Sequence, residues 1–188
     1  MGEAVQKNKK YTYAEFLNIT KDIERAEFID GEIILQATPT LQHQSIVGNL
    51  FFEMKNYFMD RNCKAFMAPF DIVLETENEE PKRVQPDLFV LCGEFDITKN
   101  EFNGVPTLVI EVASPSNAGN DFITKLNLYQ KFKVSEYWIV SPKNKSVLIF
   151  VFNNETKTYD EPAIYGKDEV IASGIFNGLS IELKKIFE

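Results

Sequence analysis

The hydrophobic pattern changes period repeatedly along the chain, and each change marks an element. Thr12 and Glu15 stand at capping-box spacing and predict a short helix over 13–19. Two short apolar runs, 25–29 and 32–35, flank Asp30-Gly31, a pair that predicts a tight hairpin. His43, Ile46, Val47, Leu50, Met54, Tyr57 and Phe58 then recur at helical spacing and predict a long helix over 41–60, with Thr40 as its N-cap. Strands are expected at 64–67, 70–75, 84–91 and 107–113, the last punctuated by Ser114-Pro115-Ser116-Asn117. A second long helix over 120–133 carries Phe122, Leu126, Tyr129 and Phe132 on one stripe. Apolar runs at 136–140, 146–152 and 158–165 complete the pattern.

A strand at 107–113, a helix at 120–133 and a strand at 136–140 form a βαβ unit, which makes those two strands parallel. The remaining runs read as hairpins, so the expected sheet is mixed. Residues 1–10 read as a polar tail and 11–188 as one domain, since no linker, repeat or low-complexity stretch interrupts them.

Composition changes this picture at three points. No window has the apolar length of a membrane span, and the first ten residues lack the apolar core of a signal peptide, so a cytoplasmic protein is expected. Cys63 and Cys92 have no metal-ligand spacing and read as buried free thiols. With 28 Asp and Glu against 20 Lys and Arg, the formal charge of −8 opposes a broad nucleic-acid footprint, although it leaves room for a local basic groove. The acids at 75, 77, 79 and 80 read as a solvated loop.

One residue breaks the apolar pattern. Glu111 lies inside Thr107-Leu108-Val109-Ile110-Glu111-Val112-Ala113, a run suited to a strand buried on both faces. A carboxylate there requires a cation, a hydrogen-bond network or a metal ion. Pro86-Asp87 opens another apolar run, so two carboxylates can converge at one end of the sheet. Hard cations such as Mg²⁺ take one or two carboxylates of this kind, with water and phosphate oxygens completing the shell. Asp121, Lys125 and Tyr129 form an i, i+4, i+8 stripe on the following helix, which can aim an ammonium at these acids. The bland alternative is a Glu111–Lys125 ion pair that satisfies both groups without catalysis. Asp121 reads most simply as a helix-start charge, Tyr129 and Trp138 as packing residues, and His43 as a hydrogen-bonded structural histidine.

Pro86-Asp87 followed by Glu111-Val112-Ala113 resembles the PD-(D/E)XK nuclease signature, with a departure: Ala113 stands where the usual lysine would be. Lys125, four residues before Tyr129, looks like a lysine migrated to the helix. Glu27-Phe28-Ile29-Asp30-Gly31-Glu32-Ile33, Pro39, His43, Val84-Gln85-Pro86-Asp87, Gly104-Val105-Pro106, the Glu111 run through Ser116, and Glu136-Tyr137-Trp138-Ile139-Val140 extend the likeness across nearly the whole chain. As a set they resemble the Uma-type family of restriction endonuclease-like proteins. That resemblance implies an α/β restriction-endonuclease-like core, a mixed β-sheet flanked by helices, with an N-terminal hairpin and C-terminal strands. It also implies Glu27 as a third metal ligand beside Asp87 and Glu111, and His43 near the site mouth.

The expected protein is thus a Mg²⁺-dependent (or Mn²⁺-dependent) DNA endonuclease, acting as a homodimer. Asp87, Glu111 and Glu27 would hold the metal, and Lys125 would offset charge. Lys82, Arg83, Lys131 and Lys133 are candidates for phosphate contact, or plain surface charge. The alternatives are a nuclease fold retained as a nucleic-acid-binding or regulatory module, and a homodimeric interaction domain in which Glu111–Lys125 is structural.

Overall fold

The computed structural model describes Val5, residues 9–114 and residues 120–188, without the side chains of Asn120 and Asp121. Most of the expected tail, and the Pro115-Ser116-Asn117 part of the expected turn, lie outside the described residues. So does the side chain of Asp121. The chain forms two compact units, 1–38 with 68–86 and 95–105, and 39–67 with 87–94 and 106–188.

In the first unit, α1 (Tyr13–Ile19) starts on the expected capping box. The Glu15 N–H donates to Thr12 Oγ1, and the Thr12 N–H donates back to the Glu15 carboxylate. These bonds to the ionised form hold the Glu15 carboxyl below its usual range. β1 (Ala26–Ile29) and β2 (Glu32–Leu35) form the predicted hairpin. Asp30 and Gly31 both take positive φ, 48° and 82°, as a two-residue primed turn requires. Phe28 packs with Tyr11, Phe16, Ala26 and Ile33 into a small aromatic-rich core. The sheet is completed by β4 (Asp71–Thr76), β5 (Glu79–Val84) and β7 (Glu101–Asn103), in the order β2-β1-β5-β4-β7.

The pattern misplaced part of this unit. The expected strand 84–91 is two strands, because the chain leaves β5 at Val84 and starts β6 (Leu88–Cys92) only after Gln85-Pro86-Asp87. Proline lacks the N–H that a continuous ladder would use. Glu79 and Glu80, read as loop, open β5, and the Glu80 carboxylate accepts the backbone N–H of Tyr13.

In the second unit, α2 (Leu41–Phe58) is capped by Thr40, whose Oγ1 accepts the His43 N–H at 3.2 Å. Its apolar face packs through Ile46, Leu50 and Met54 into a core that includes Leu108, Ile110 and Val112. Those three residues form one face of β8 (Leu108–Val112). The main sheet runs β11-β10-β9-β8-β6-β3, with β3 (Cys63–Met67), β9 (Glu136–Ser141), β10 (Ser146–Asn153) and β11 (Thr158–Tyr159). β12 (Ala163–Gly166) pairs with the opening half of β10. β8 and β9 are parallel and joined by α3 (Asn120–Lys131), which is the predicted βαβ unit. The expected run 158–165 is thus two short strands. β13 (Val170–Ala172), β14 (Ser180–Glu182) and α4 (Leu183–Ile186) carried too little periodicity to be predicted, as did β7.

A buried acid and a partly exposed disulfide anchor this unit. The carboxylate of Glu136, wholly buried, accepts from Trp138 Nε1 at 2.8 Å, Ser173 Oγ at 2.6 Å and the Gly174 N–H at 3.2 Å. Trp138 is therefore a donor as well as a packing residue. Cys63 and Cys92 are not free thiols: they stand directly opposite each other on antiparallel β3 and β6 and form a disulfide. Their separation of 29 residues hid a cross-strand register that only the folded sheet creates.

Candidate functional site

The site grows from the place where β6 and β8 part. Their antiparallel register pairs Leu88 with Ile110, so one further step sets Asp87 across from Glu111. The ladder stops there, at the bend after Pro86. Val112 sits on the edge of β8 that looks toward β6, and its N–H would lose a backbone partner. Asp87 Oδ2 accepts that N–H at 2.8 Å. The same oxygen lies 3.2 Å from His43 Nε2, at the start of α2. An ionised carboxylate only accepts, so Nε2 carries the proton in this pairing. His43 Nδ1 is buried and has no partner among the described residues.

Glu111 emerges on the face opposite Leu108, Ile110 and Val112, as strand alternation requires. Its Oε1 accepts from Lys125 Nζ at 2.9 Å and from Tyr129 Oη at 2.9 Å. Both donors come from one stripe of α3, one turn apart. All three groups are buried, with Glu111 6%, Lys125 4% and Tyr129 0% exposed. An acid so desolvated is tolerable because a cation and a hydroxyl both face it. Tyr129, read as packing, is therefore part of the acid's environment; its i+4 spacing from Lys125 was the available signal.

Glu27 belongs to the first unit. It is buried on β1, and its Oε1 accepts the Gln85 N–H at 2.8 Å. Lys82 and Arg83 also belong to that unit and are engaged by acids. Lys82 Nζ pairs with Asp30 at 3.2 Å and Glu79 at 3.5 Å. Arg83 pairs with Asp71, whose hydrogen bond holds the guanidinium in its charged form above the ordinary range. Neither is a ready phosphate contact. Lys131 closes α3, a 12-residue helix spanning roughly 18 Å, and Lys133 follows just beyond it, so both lie at the far end of the sheet from Asp87 and Glu111.

The structure thus joins Asp87 to His43 and Glu111 to Lys125 and Tyr129, and places the two groups one residue apart through Val112. Among the described residues no cluster of three or more His, Cys, Asp or Glu side chains is positioned to hold a metal ion by itself. The donor set nevertheless suits a hard divalent cation that needs only one or two carboxylates and takes its other oxygens from water and substrate.

Comparison with known proteins bears on what such a site does. The family model Uma2, described as "Putative restriction endonuclease", matches residues 13–184. Two uncharacterized proteins of Synechocystis sp., sll1609 and slr1290, are similar to the chain. The first is 31% identical over 140 residues, 72% of this chain and 77% of the relative. The second is 26% identical over 134 residues, 70% of this chain and 68% of the relative. The crystal structure of "a putative nuclease belonging to DUF820" from Anabaena variabilis superposes with a TM-score of 0.77 at 19% identity, covering 94% of this chain and 97% of that one. The fold is shared with that structure.

Proposed function

The chain belongs to the Uma2 family, and from that premise we propose that it is a divalent-metal-dependent endonuclease hydrolysing DNA phosphodiester bonds. Family and fold carry the nuclease class. The observation that carries the site is the bond from the Val112 N–H to Asp87 Oδ2, which brings a second acid beside Glu111 at the end of β8.

Asp87 and Glu111 would hold Mg²⁺ or Mn²⁺. Such an ion supplies an activated water and neutralises charge on the phosphodiester. Every other task falls to side chains already in place. The N–H of Val112 and the ring of His43 fix the Asp87 carboxylate through one oxygen. Lys125 and Tyr129 fix Glu111 in the same way. Lys125 also brings the positive charge that would offset the phosphorane, in the role of the lysine absent at position 113. Glu27 as a third ligand, and a homodimer that would cut both strands together, rest on the family resemblance.

The test is cleavage of duplex, single-stranded and branched DNA with Mg²⁺ or Mn²⁺, run beside Asp87→Asn and Lys125→Ala. Metal-dependent cleavage lost in both variants supports the site, and cleavage that survives both sinks it. A second reading has its own observation: Glu111 Oε1 is already bound by Lys125 and Tyr129, as a purely structural acid would be. Under that reading the fold serves as a homodimeric interaction domain, and no substrate is cut with any metal.

A further inference from the structure

The phosphate contacts expected from the sequence are paired or misplaced, yet another set of lysines lies at the carboxylate end of the sheet. β8 and β9 are parallel and end side by side: Val112 stands opposite Val140, and the Ala113 N–H donates to the Val140 carbonyl at 2.8 Å. The turn after β9 therefore opens at the same end as Asp87 and Glu111. That turn carries Lys143 and Lys145. β10 starts beyond it with Ser146, which pairs with Ser141 on one side and Gly166 on the other. Lys167 follows Gly166 directly. The three lysines line one open recess of about 640 Å³, all exposed, and none is in an ion pair among the described residues.

We infer that this rim of Lys143, Lys145 and Lys167 binds the phosphodiester backbone of the nucleic acid that the site would cut. The inference rests on the nuclease reading and names the substrate contacts of that same site. Neighbouring strands lie about 5 Å apart, so β9, β10 and β12 set the lysines roughly 5–15 Å sideways from β8. At about 3.4 Å of axis per nucleotide, that span covers roughly two to four phosphates beside the scissile one. Asp168 and Glu169 share the recess, which limits its excess to one positive charge. Glu169 is held on the turn's own backbone, its Oε2 accepting the Gly166 N–H at 2.6 Å. In a chain of formal charge −8 the rim works by contact and not by a long-range field, so its effect must appear in the salt dependence of binding.

The experiment measures fluorescence anisotropy of a labelled duplex, with EDTA present, across about 50 to 200 mM NaCl. Relative to the unaltered protein, Lys143→Gln/Lys145→Gln/Lys167→Gln should weaken binding roughly tenfold or more at low salt and flatten the log–log salt slope by about three. Lys131→Gln/Lys133→Gln, at the far end of the sheet, should change neither quantity. An unchanged slope in the triple variant, or no binding by the unaltered protein, overturns the inference. Displacement of the duplex by millimolar inorganic phosphate at matched ionic strength would assign the rim to free phosphate and also overturn it. Circular dichroism checks that the exposed substitutions leave the fold intact. If the lysines carry binding but no substrate is cleaved, only the catalytic reading falls. If cleavage occurs and the slope is unchanged, only the rim falls.

Discussion

At Glu111 one carboxylate serves two masters, the stability of β8 and the chemistry proposed for it. Lys125 and Tyr129 both donate to Oε1 inside a buried pocket. Removing the ammonium in Lys125→Met should cost about 3 kcal/mol, because a buried charge loses its partner. The double variant Glu111→Gln/Lys125→Met should recover most of that loss in urea unfolding and remain without cleavage. Recovery of stability together with activity would show that the pair is structural only. Tyr159 gives a second residue-level test. Its hydroxyl donates to the Val134 carbonyl at 2.9 Å, and burial pushes its pKa well above the ordinary value of 10.0. Above pH 10 the unfolded chain releases this proton while the folded chain keeps it, so stability should fall as pH rises. Tyr159→Phe should flatten that alkaline slope in pH-dependent thermal melts.

At the scale of elements, the segment after β13 hangs on one acid. Ser173 Oγ donates to Glu136 and accepts the N–H groups of Ile175 and Phe176. Ser173→Ala removes all three bonds and should cost about 1–2 kcal/mol. Hydrogen exchange should report faster exchange at Ile175 and Phe176, with α2 unaffected. The β1–β2 hairpin offers a backbone test. Gly31 has φ +82°, and a Cβ there would lie 3.1 Å from Lys10 Cδ and 3.3 Å from the Tyr11 carbonyl oxygen. Gly31→Ala should therefore destabilise the hairpin by about 1 kcal/mol or more, read by thermal melting.

Across the whole molecule, the Cys63–Cys92 disulfide closes a loop of 29 residues that contains the passage from β3 through the first-unit strands β4 and β5 and back to β6. Reduction should lower the urea midpoint by the equivalent of about 3 kcal/mol through the entropy of the unfolded chain. An unchanged midpoint under reductant would remove the bridge from the account of stability. Among the described residues no helix is long and apolar enough to cross a membrane.

Local order was legible in the sequence because its causes are local. The Thr12–Glu15 box, the Asp30-Gly31 turn and the face of α2 each depend on residues a few positions apart, and the βαβ unit follows from a strand, a helix and a strand met in that order. The oddness of Glu111 was legible too, since an acid in a hydrocarbon strand needs a partner wherever it folds. Which partner it takes was not, because Lys125 and Tyr129 meet Glu111 only when α3 packs on the sheet. Register decided the rest. It paired Cys63 with Cys92, turned Asp87 onto the Val112 N–H, and brought Lys143, Lys145 and Lys167 to the end of the sheet that holds the acids. A strand's own sequence states which residues share a face; which neighbour stands across from them is a property of the assembled sheet alone.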